Sequence, residues 1–395
     1  MSEFEVKVVR IDEVSKHPNA DRLSLNRVGG YTCISNLKDD GSFRYAVGDL
    51  AVYVPADTVI PENVLKRIGF WKDTDREGNP LPVESQKGML AGKRGDRVKP
   101  MKLREIFSEG ILIPLVENKF LKNGDEILEV TLGQDVAEFF SMIKYEPPIP
   151  TCMSGEVFNA GGAGMVPVKY DIEAWEKHTD VLRVEPVVVT EKLHGTYCGI
   201  GLTPHTGNPE AFESLDNVRD VIVYSKGLGS SGLCFKDVTQ NAGNLYVRAY
   251  KNLNEDSRVA LRRIALDHNG VHLLGEVFGQ GVQDLHYGQK SPTFRVFDIY
   301  LGSYPTGRYA NDEELESLLS LVGIPRVPVL GKFEYSVDAV MALRDGKDTI
   351  SDSNIREGVV VRPLIERRDQ YLGRVQLKFV SPDYKLRRGN VTENS

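Results

Sequence analysis

The sequence lacks any apolar run approaching the ~18–20 residues that a membrane-spanning helix requires. Its compact apolar runs, Pro186-Val187-Val188-Val189 and Gly358-Val359-Val360-Val361, have the length of buried strands instead. The N-terminus, Met-Ser-Glu-Phe-Glu, has neither the basic nor the apolar region of a signal peptide. The four cysteines, Cys33, Cys152, Cys198 and Cys234, are scattered and form no CxxC pair. That excludes a disulfide framework or structural zinc site as the basis of the fold, and a reducing cytoplasm is the expected setting. Basic residues are not in excess either. There are 49 Lys and Arg against 56 Asp and Glu, for a net charge of −7. The chain is therefore not a globally basic nucleic-acid binder, although a phosphate-binding groove needs only local clusters. One such cluster is the stretch holding Lys378, Lys385, Arg387 and Arg388 against Asp383 alone.

A length of 395 residues suits two domains. Residues 1–145 read as mainly β, in short runs such as Glu5–Val9, Arg44–Val47 and Leu50–Val54. Turn signals at His17-Pro18-Asn19-Ala20, Gly29-Gly30 and Asp39-Asp40-Gly41 separate them. Many short strands at this spacing predict a small barrel or sandwich. Residues 146–165, with Pro147-Pro148-Ile149-Pro150 and Gly161-Gly162-Ala163-Gly164, read as a linker. Residues 166–395 read as α+β. Strands are predicted at Val187–Glu191, Val221–Ser225, Leu273–Phe278, Phe294–Tyr300, Gly358–Arg362 and Val375–Val380. Helices are predicted at Asp171–His178, Val259–Asp267, Asp312–Leu321 and Val337–Asp345, the last two with N-caps Asn311 and Ser336.

The chemistry is suggested by charges placed in apolar strands. Lys192 ends one such strand and is followed by the turn Leu193-His194-Gly195-Thr196. A lysine is a nucleophile when its amine is neutral, and burial or neighbouring cations bring its pKa down from about 10.4. Downstream, Gly275-Glu276-Val277-Phe278-Gly279, Arg295-Val296-Phe297-Asp298-Ile299-Tyr300, Glu357-Gly358-Val359-Val360-Val361 and Gln376-Leu377-Lys378-Phe379 each set a charged group in or beside an apolar strand. Taken singly, each is an ordinary strand-end charge. Together they suggest groups converging on one polyanionic ligand and its metal.

In order, K-x-H-G (Lys192–Gly195), S-K-G (Ser225–Gly227), G-E-x-x-G (Gly275–Gly279), F-D-I (Phe297–Ile299), E-G-V-V-V (Glu357–Val361) and L-K (Leu377-Lys378) resemble the motifs of covalent nucleotidyltransferases. That superfamily comprises DNA ligases, RNA ligases and mRNA capping enzymes. His194, standing where DNA ligases and capping enzymes carry Asp, points to RNA ligases. So does a chain expected to have no room for a further OB domain after Lys378. The segments Val47–Pro55, Tyr170–Glu173 and Val380–Tyr384 resemble the Deinococcus-type ATP-dependent RNA ligases, RNA ligase family five. The early His17–Leu23 is similar to the opening of tRNA-binding OB modules. Three positions depart from the family pattern: Tyr197 replaces a common Asn, Gln376 a common Lys, and Lys226 a common Arg.

The resemblance implies an N-terminal OB-like β-barrel followed by an α+β adenylyltransferase domain, ATP-grasp-like, with antiparallel sheets. It implies ATP and Mg²⁺ or Mn²⁺ as cofactors. Lys192 would be the nucleophile that forms lysyl–AMP. Glu191, Lys226, Glu276, Phe297, Glu357 and Lys378 would bind the nucleotide, with Phe297 stacking on adenine and Glu357 and Glu276 holding metal. The partner would be RNA with 3′-OH and 5′-phosphate ends, in nicked duplexes or RNA–DNA hybrids, sealed by a monomeric repair enzyme with no membrane association. A DNA ligase, a capping-type enzyme and a non-catalytic OB-fold RNA-binding protein are the alternative readings.

Overall fold

The structure, a computed structural model, describes residues 4–75, 77–204, 211–213 and 219–387. The chain divides after Pro147 into two compact units. Strands of four or more residues and the α-helices are labelled in chain order.

In the first unit, β1 (Lys7–Arg10), β5 (Leu50–Val54) and β6 (Ile111–Pro114) form an antiparallel sheet, and β2 (Glu13–Lys16), β3 (Leu23–Val28) and β4 (Tyr31–Asn36) another. The unit also holds a hairpin of β7 (Phe120–Asn123) and β8 (Glu126–Glu129), helix α1 (Glu62–Arg67) and three shorter strand pairs. Strand β5 is central because it is apolar at successive positions. Ala51, Val52, Tyr53 and Val54 are all buried, so both faces of the strand are covered. Two differences from the sequence reading stand out. Among the described residues the strands form separate sheets and no closed barrel. The predicted strand Arg44–Val47 is a loop. There Tyr45 leaves the ladder to bury its ring and hydrogen-bond the Leu112 carbonyl at 3.0 Å, and the Asp49 carboxylate accepts from the Ala46 N–H at 2.8 Å.

The second unit is built on two sheets. One has the order Glu173–Ala174, β16 (Leu377–Val380), β15 (Gly358–Pro363), β9 (Pro186–Lys192), β14 (Val329–Glu334). The other has the order Phe212–Glu213, β11 (Arg219–Ser225), β10 (Thr196–Pro204), β12 (Val271–Phe278), β13 (Thr293–Leu301), Arg308–Tyr309. Pairing is antiparallel except between Glu173–Ala174 and β16. Helices α2 (Lys226–Ser230), α3 (Leu245–Lys251), α4 (Glu255–His268), α5 (Asp312–Val322), α6 (Val337–Arg344) and α7 (Pro382–Leu386) follow in sequence.

Period-two patterning decides what each sheet face does. In the first sheet Val187 and Val189 of β9, Val359 and Val361 of β15, and Leu377 and Phe379 of β16 share one core. The intervening Thr190, Lys192, Val360, Arg362 and Lys378 line a cavity. In the second sheet, Ile200, Val223, Leu273 and Ile299 pack under α3, α4 and α5. The opposite face carries Tyr197, Ile222, Tyr224 and Leu274.

Three predicted elements differ here. Residues 146–165 do not form a free linker. Val157–Asn159 pair with Leu233–Phe235, and Phe158, Ala160 and Met165 are buried. Asp171–His178 is not an α-helix. Glu173–Ala174 joins the edge of the first sheet, and a single 3-10 turn, Trp175–Lys177, follows, its Trp175 ring stacked on Phe379 at 5.2 Å. Asn311 and Ser336 occupy N-cap positions, but neither side chain makes the capping bond. Asn311 Oδ1 instead accepts from the Glu366 N–H at 2.8 Å.

Candidate active site

The chain leaves the first sheet at the end of β9 and enters the second at β10 through Leu193-His194-Gly195. Lys192 is therefore the last strand residue before the crossing. It lies opposite Gly358 in the β9–β15 register, which brings the residue before β15, Glu357, beside it. Lys192 Nζ and Glu357 Oε1 are 2.7 Å apart, with side chains only 8% and 3% exposed. Gly195 permits the crossing. A Cβ at that position would stand 2.2 Å from the Val277 carbonyl oxygen of β12, a backbone atom that cannot move aside.

A cavity opens over these residues, lined by Lys192, Lys226, Glu276, Phe297, Val360 and Lys378 among others. The second sheet places Glu276 opposite Tyr197, on the cavity side of β12. Burial pushes the Glu276 carboxyl up to about 8; Lys192 opposes this and the Glu357 carboxylate adds to it. Lys226, at the start of α2, is brought down to about 8 by burial first and then by the Lys378 cation. Phe297 reaches the cavity from a bulge. Leu274 pairs with Asp298 but Gly275 with Val296, so Phe297 is the extra residue of β13. Such a bulge re-aims a side chain. Its ring lies 5.1 Å from Tyr170, which in turn stacks on Tyr197 at 5.6 Å.

Every residue expected at the site from sequence lies on this cavity except Glu357, which reaches it through Lys192. Glu191 lines it as well, but one carboxylate oxygen is held by Thr349, whose N–H donates at 3.0 Å and whose hydroxyl donates too. Asp298 does not face the ligand space. It is fully buried, with Arg374 at 2.8 and 2.9 Å and the Tyr170 hydroxyl at 2.5 Å. Gln376 donates to the same hydroxyl at 2.6 Å, so the residue standing in for a lysine serves the cavity wall. His17, in the first unit, is buried. Nδ1 accepts from the Asn19 N–H at 3.0 Å, and Nε2 lies 3.1 Å from the Leu103 carbonyl. Of the C-terminal basic stretch, Arg388 lies outside the described residues.

Sequence reasoning did not single out Arg374, Glu366, Thr349, Asp284 or Tyr287. Thr349, Asp284 and Tyr287 act through partners at least 90 residues away, and Arg374 and Glu366 join a network with Asp298. No local spacing marks such pairs.

The carboxylates fit a divalent cation. Glu276 Oε1 and Glu357 Oε2 are buried and have no hydrogen-bond partner among the described residues. No group of three or more His, Cys, Asp or Glu that could hold a metal occurs among those residues. Two carboxylate oxygens, completed by phosphate and water, are the donor set that Mg²⁺ accepts in nucleotide sites.

Residues 185–380 match the RNA ligase family model, and residues 5–115 match an OB-fold domain model. No curated protein matches the chain in sequence. Among solved structures, a lysine-to-alanine mutant of the Naegleria gruberi RNA ligase with ATP and Mn is similar at a TM-score of 0.68. It is 21% identical and covers 96% of this chain and 98% of that one. The same ligase with PPi aligns at 0.68 and 21% identity over 97% and 98% of the two chains. No helix among the described residues is long and apolar enough to cross a membrane. The chain thus carries, in order, a stretch that matches an OB-fold domain model and a stretch that matches the RNA ligase family model.

Proposed function

We propose that the protein is an ATP-dependent RNA ligase that joins 3′-OH and 5′-phosphate ends through lysyl–AMP on Lys192. The observation that carries this reading is the buried Lys192 Nζ, paired with Glu357 on a cavity that also presents Lys226, Lys378 and Glu276. Lys192 Nζ forms a bond to the α-phosphorus of ATP as the bond to the β-phosphate oxygen breaks, and pyrophosphate leaves with that electron pair. The proton that Nζ gives up has Glu357 Oε1 within hydrogen-bond distance. An oxygen of an RNA 5′-phosphate then takes AMP from Lys192. The 3′-OH attacks that activated phosphorus, and AMP departs. Splitting the reaction through a covalent intermediate replaces one hard displacement by easier ones.

Lys378 and Lys226 neutralise phosphate charge, and Phe297 and Val360 offer apolar faces to adenine. Glu191 Oε1, buried without a partner among the described residues, can accept from the exocyclic amine of adenine. Mg²⁺ or Mn²⁺ held by Glu357 and Glu276 would supply further neutralisation of the triphosphate oxygens. The Naegleria structures containing ATP, AMP, PPi and Mn support this nucleotide and metal. The His194 motif and the N-terminal OB unit support a Deinococcus-type subfamily. A nicked duplex or RNA–DNA hybrid, recognised by A-form shape, fits a repair role for a cytoplasmic monomer.

Purified protein incubated with α-³²P ATP and Mg²⁺ or Mn²⁺ should acquire label that Lys192→Ala abolishes. Undiminished label on Lys192→Ala would reject the proposal. Sealing of all-DNA nicks in preference to nicks with a 3′-OH RNA strand would move the protein to the DNA ligases.

A further inference from the structure

The turn that carries Lys192 between the sheets is braced by residues outside the six motifs. The His194 backbone N–H donates to the Tyr287 hydroxyl at 2.7 Å. Nε2 of its ring lies 2.8 Å from Asp284 Oδ1, and Nδ1 lies 2.7 Å from the Tyr384 hydroxyl. The ring is 3% exposed and meets the Tyr384 ring edge-on at 5.5 Å. Arg387 completes the brace. It stacks on Tyr384 at 3.8 Å and donates to both Asp284 oxygens, at 3.0 and 3.2 Å. Leu193, Phe278, Leu285, Tyr287, Val380 and Tyr384 form one small core around this contact.

Asp284 can only accept, and hydrogen bonds from His194 and then Arg387 hold its carboxyl well below the usual carboxylate range. Nε2 also lies 3.1 Å from Arg387 Nη2, so Asp284 and Arg387 meet one ring nitrogen and the Tyr384 hydroxyl the other. Both edges of the imidazole are occupied, so the ring cannot rotate. This matters because His194 Nδ1 stands only 4.0 Å from Glu357 Oε2, the second oxygen of the carboxylate that holds Lys192. A ring released by Tyr384 would be able to swing onto Glu357.

We infer that Tyr384 and Asp284 are positioning residues for lysine adenylylation, acting through His194 to keep Lys192 and Glu357 in register. The inference rests on the ligase reading above. Helix α7, five residues at the end of the described chain, thereby works as a strap on the nucleophile's turn.

The test is single-turnover formation of labelled lysyl–AMP at varied ATP. Tyr384→Phe should lower the rate constant by about 10–100-fold, the scale of an ångström-level misplacement, while half-saturation by ATP stays near wild type. Asp284→Ala, at a side chain that is 48% exposed and tolerant of change, should also be slow. Asp284→Asn, which keeps an acceptor for Nε2, should recover much of the rate. A residue that served only the Arg387 ion pair would show Asn and Ala equally impaired. Tyr384→Phe combined with His194→Ala should be no slower than His194→Ala alone. Wild-type rates in Tyr384→Phe and Asp284→Ala, or losses that multiply in the double variant, would overturn the inference while labelled wild type leaves the ligase reading intact. An unlabelled wild type would instead overturn the ligase reading, and this inference with it.

Discussion

Lys192 Nζ lies 2.7 Å from Glu357 Oε1 although 165 residues separate them, because Lys192 pairs with Gly358 in the β9–β15 ladder and Glu357 directly precedes that glycine. The pair is buried, and removing one partner leaves a desolvated charge. Lys192→Met should therefore destabilise the protein by ~3–5 kcal/mol, and adding Glu357→Gln should restore most of that loss. Urea denaturation of the two variants measures both effects. Wild-type stability in Lys192→Met would show that the pair is not desolvated.

Lys226 supplies a pH dependence. Its ammonium is brought from the ordinary 10.5 to about 8. The folded state therefore binds fewer protons than the unfolded chain between those values, and ligand-free stability should rise with pH across that interval. Lys226→Met should flatten the rise. The protonated form is the one that binds phosphate, so ATP half-saturation should worsen as pH climbs past 8. Lys226→Arg should hold affinity constant there. An ATP affinity in wild type that does not change between pH 7 and pH 9.5 would refute the role of Lys226 on phosphate.

Gly195→Ala is expected to fail for steric reasons. The added methyl meets the Val277 carbonyl at 2.2 Å and Phe278 Cβ at 3.0 Å. Overpacking of this kind costs ~1–3 kcal/mol, and the displacement falls on the Lys192 turn. Thermal unfolding should drop and lysyl–AMP formation should fall further than stability accounts for. Unchanged labelling would mean that β10 and β12 can part locally.

The wall behind Phe297 offers an ordering. Tyr170→Phe removes a hydroxyl shared by Asp298 and Gln376 and should cost ~1–3 kcal/mol. Arg374→Met strips Asp298 and Glu366 of a common cation and should cost more, ~3–5 kcal/mol. Both should raise ATP half-saturation, because Tyr170 and Phe297 share the cavity wall. The reverse ordering in urea denaturation would show that Asp298 does not depend on Arg374.

The long α-helices and the apolar strands were legible in sequence. Helices α4 and α5 and strands β9, β12 and β13 lie within a few residues of their predicted bounds. Strand β10 was missed because Thr196–Pro204 has glycines at 199 and 201, which weaken a strand signal. Those glycines are required by packing. A Cβ at Gly199 would enter the Tyr224 ring at 2.2 Å, and one at Gly201 the His272 ring at 2.4 Å. Asp171–His178 read as a helix from its composition, but docking beside β16 outweighed that local preference.

The sequence alone determined which residues carry charge into or beside apolar strands: Lys192, Glu276, Glu357 and Lys378. For Lys192 and Lys378, period-two alternation turns the side chain away from the core that Val187, Val189, Leu377 and Phe379 share. That is a local property, since neighbours in a strand decide which face a side chain takes. The tertiary structure decided what those charges meet. Lys192 with Glu357, Asp298 with Arg374, and His194 with Asp284 and Tyr384 are long-range pairs set by strand register and by the crossing at Gly195. Register is a property of two chain segments at once, and no residue encodes it by itself.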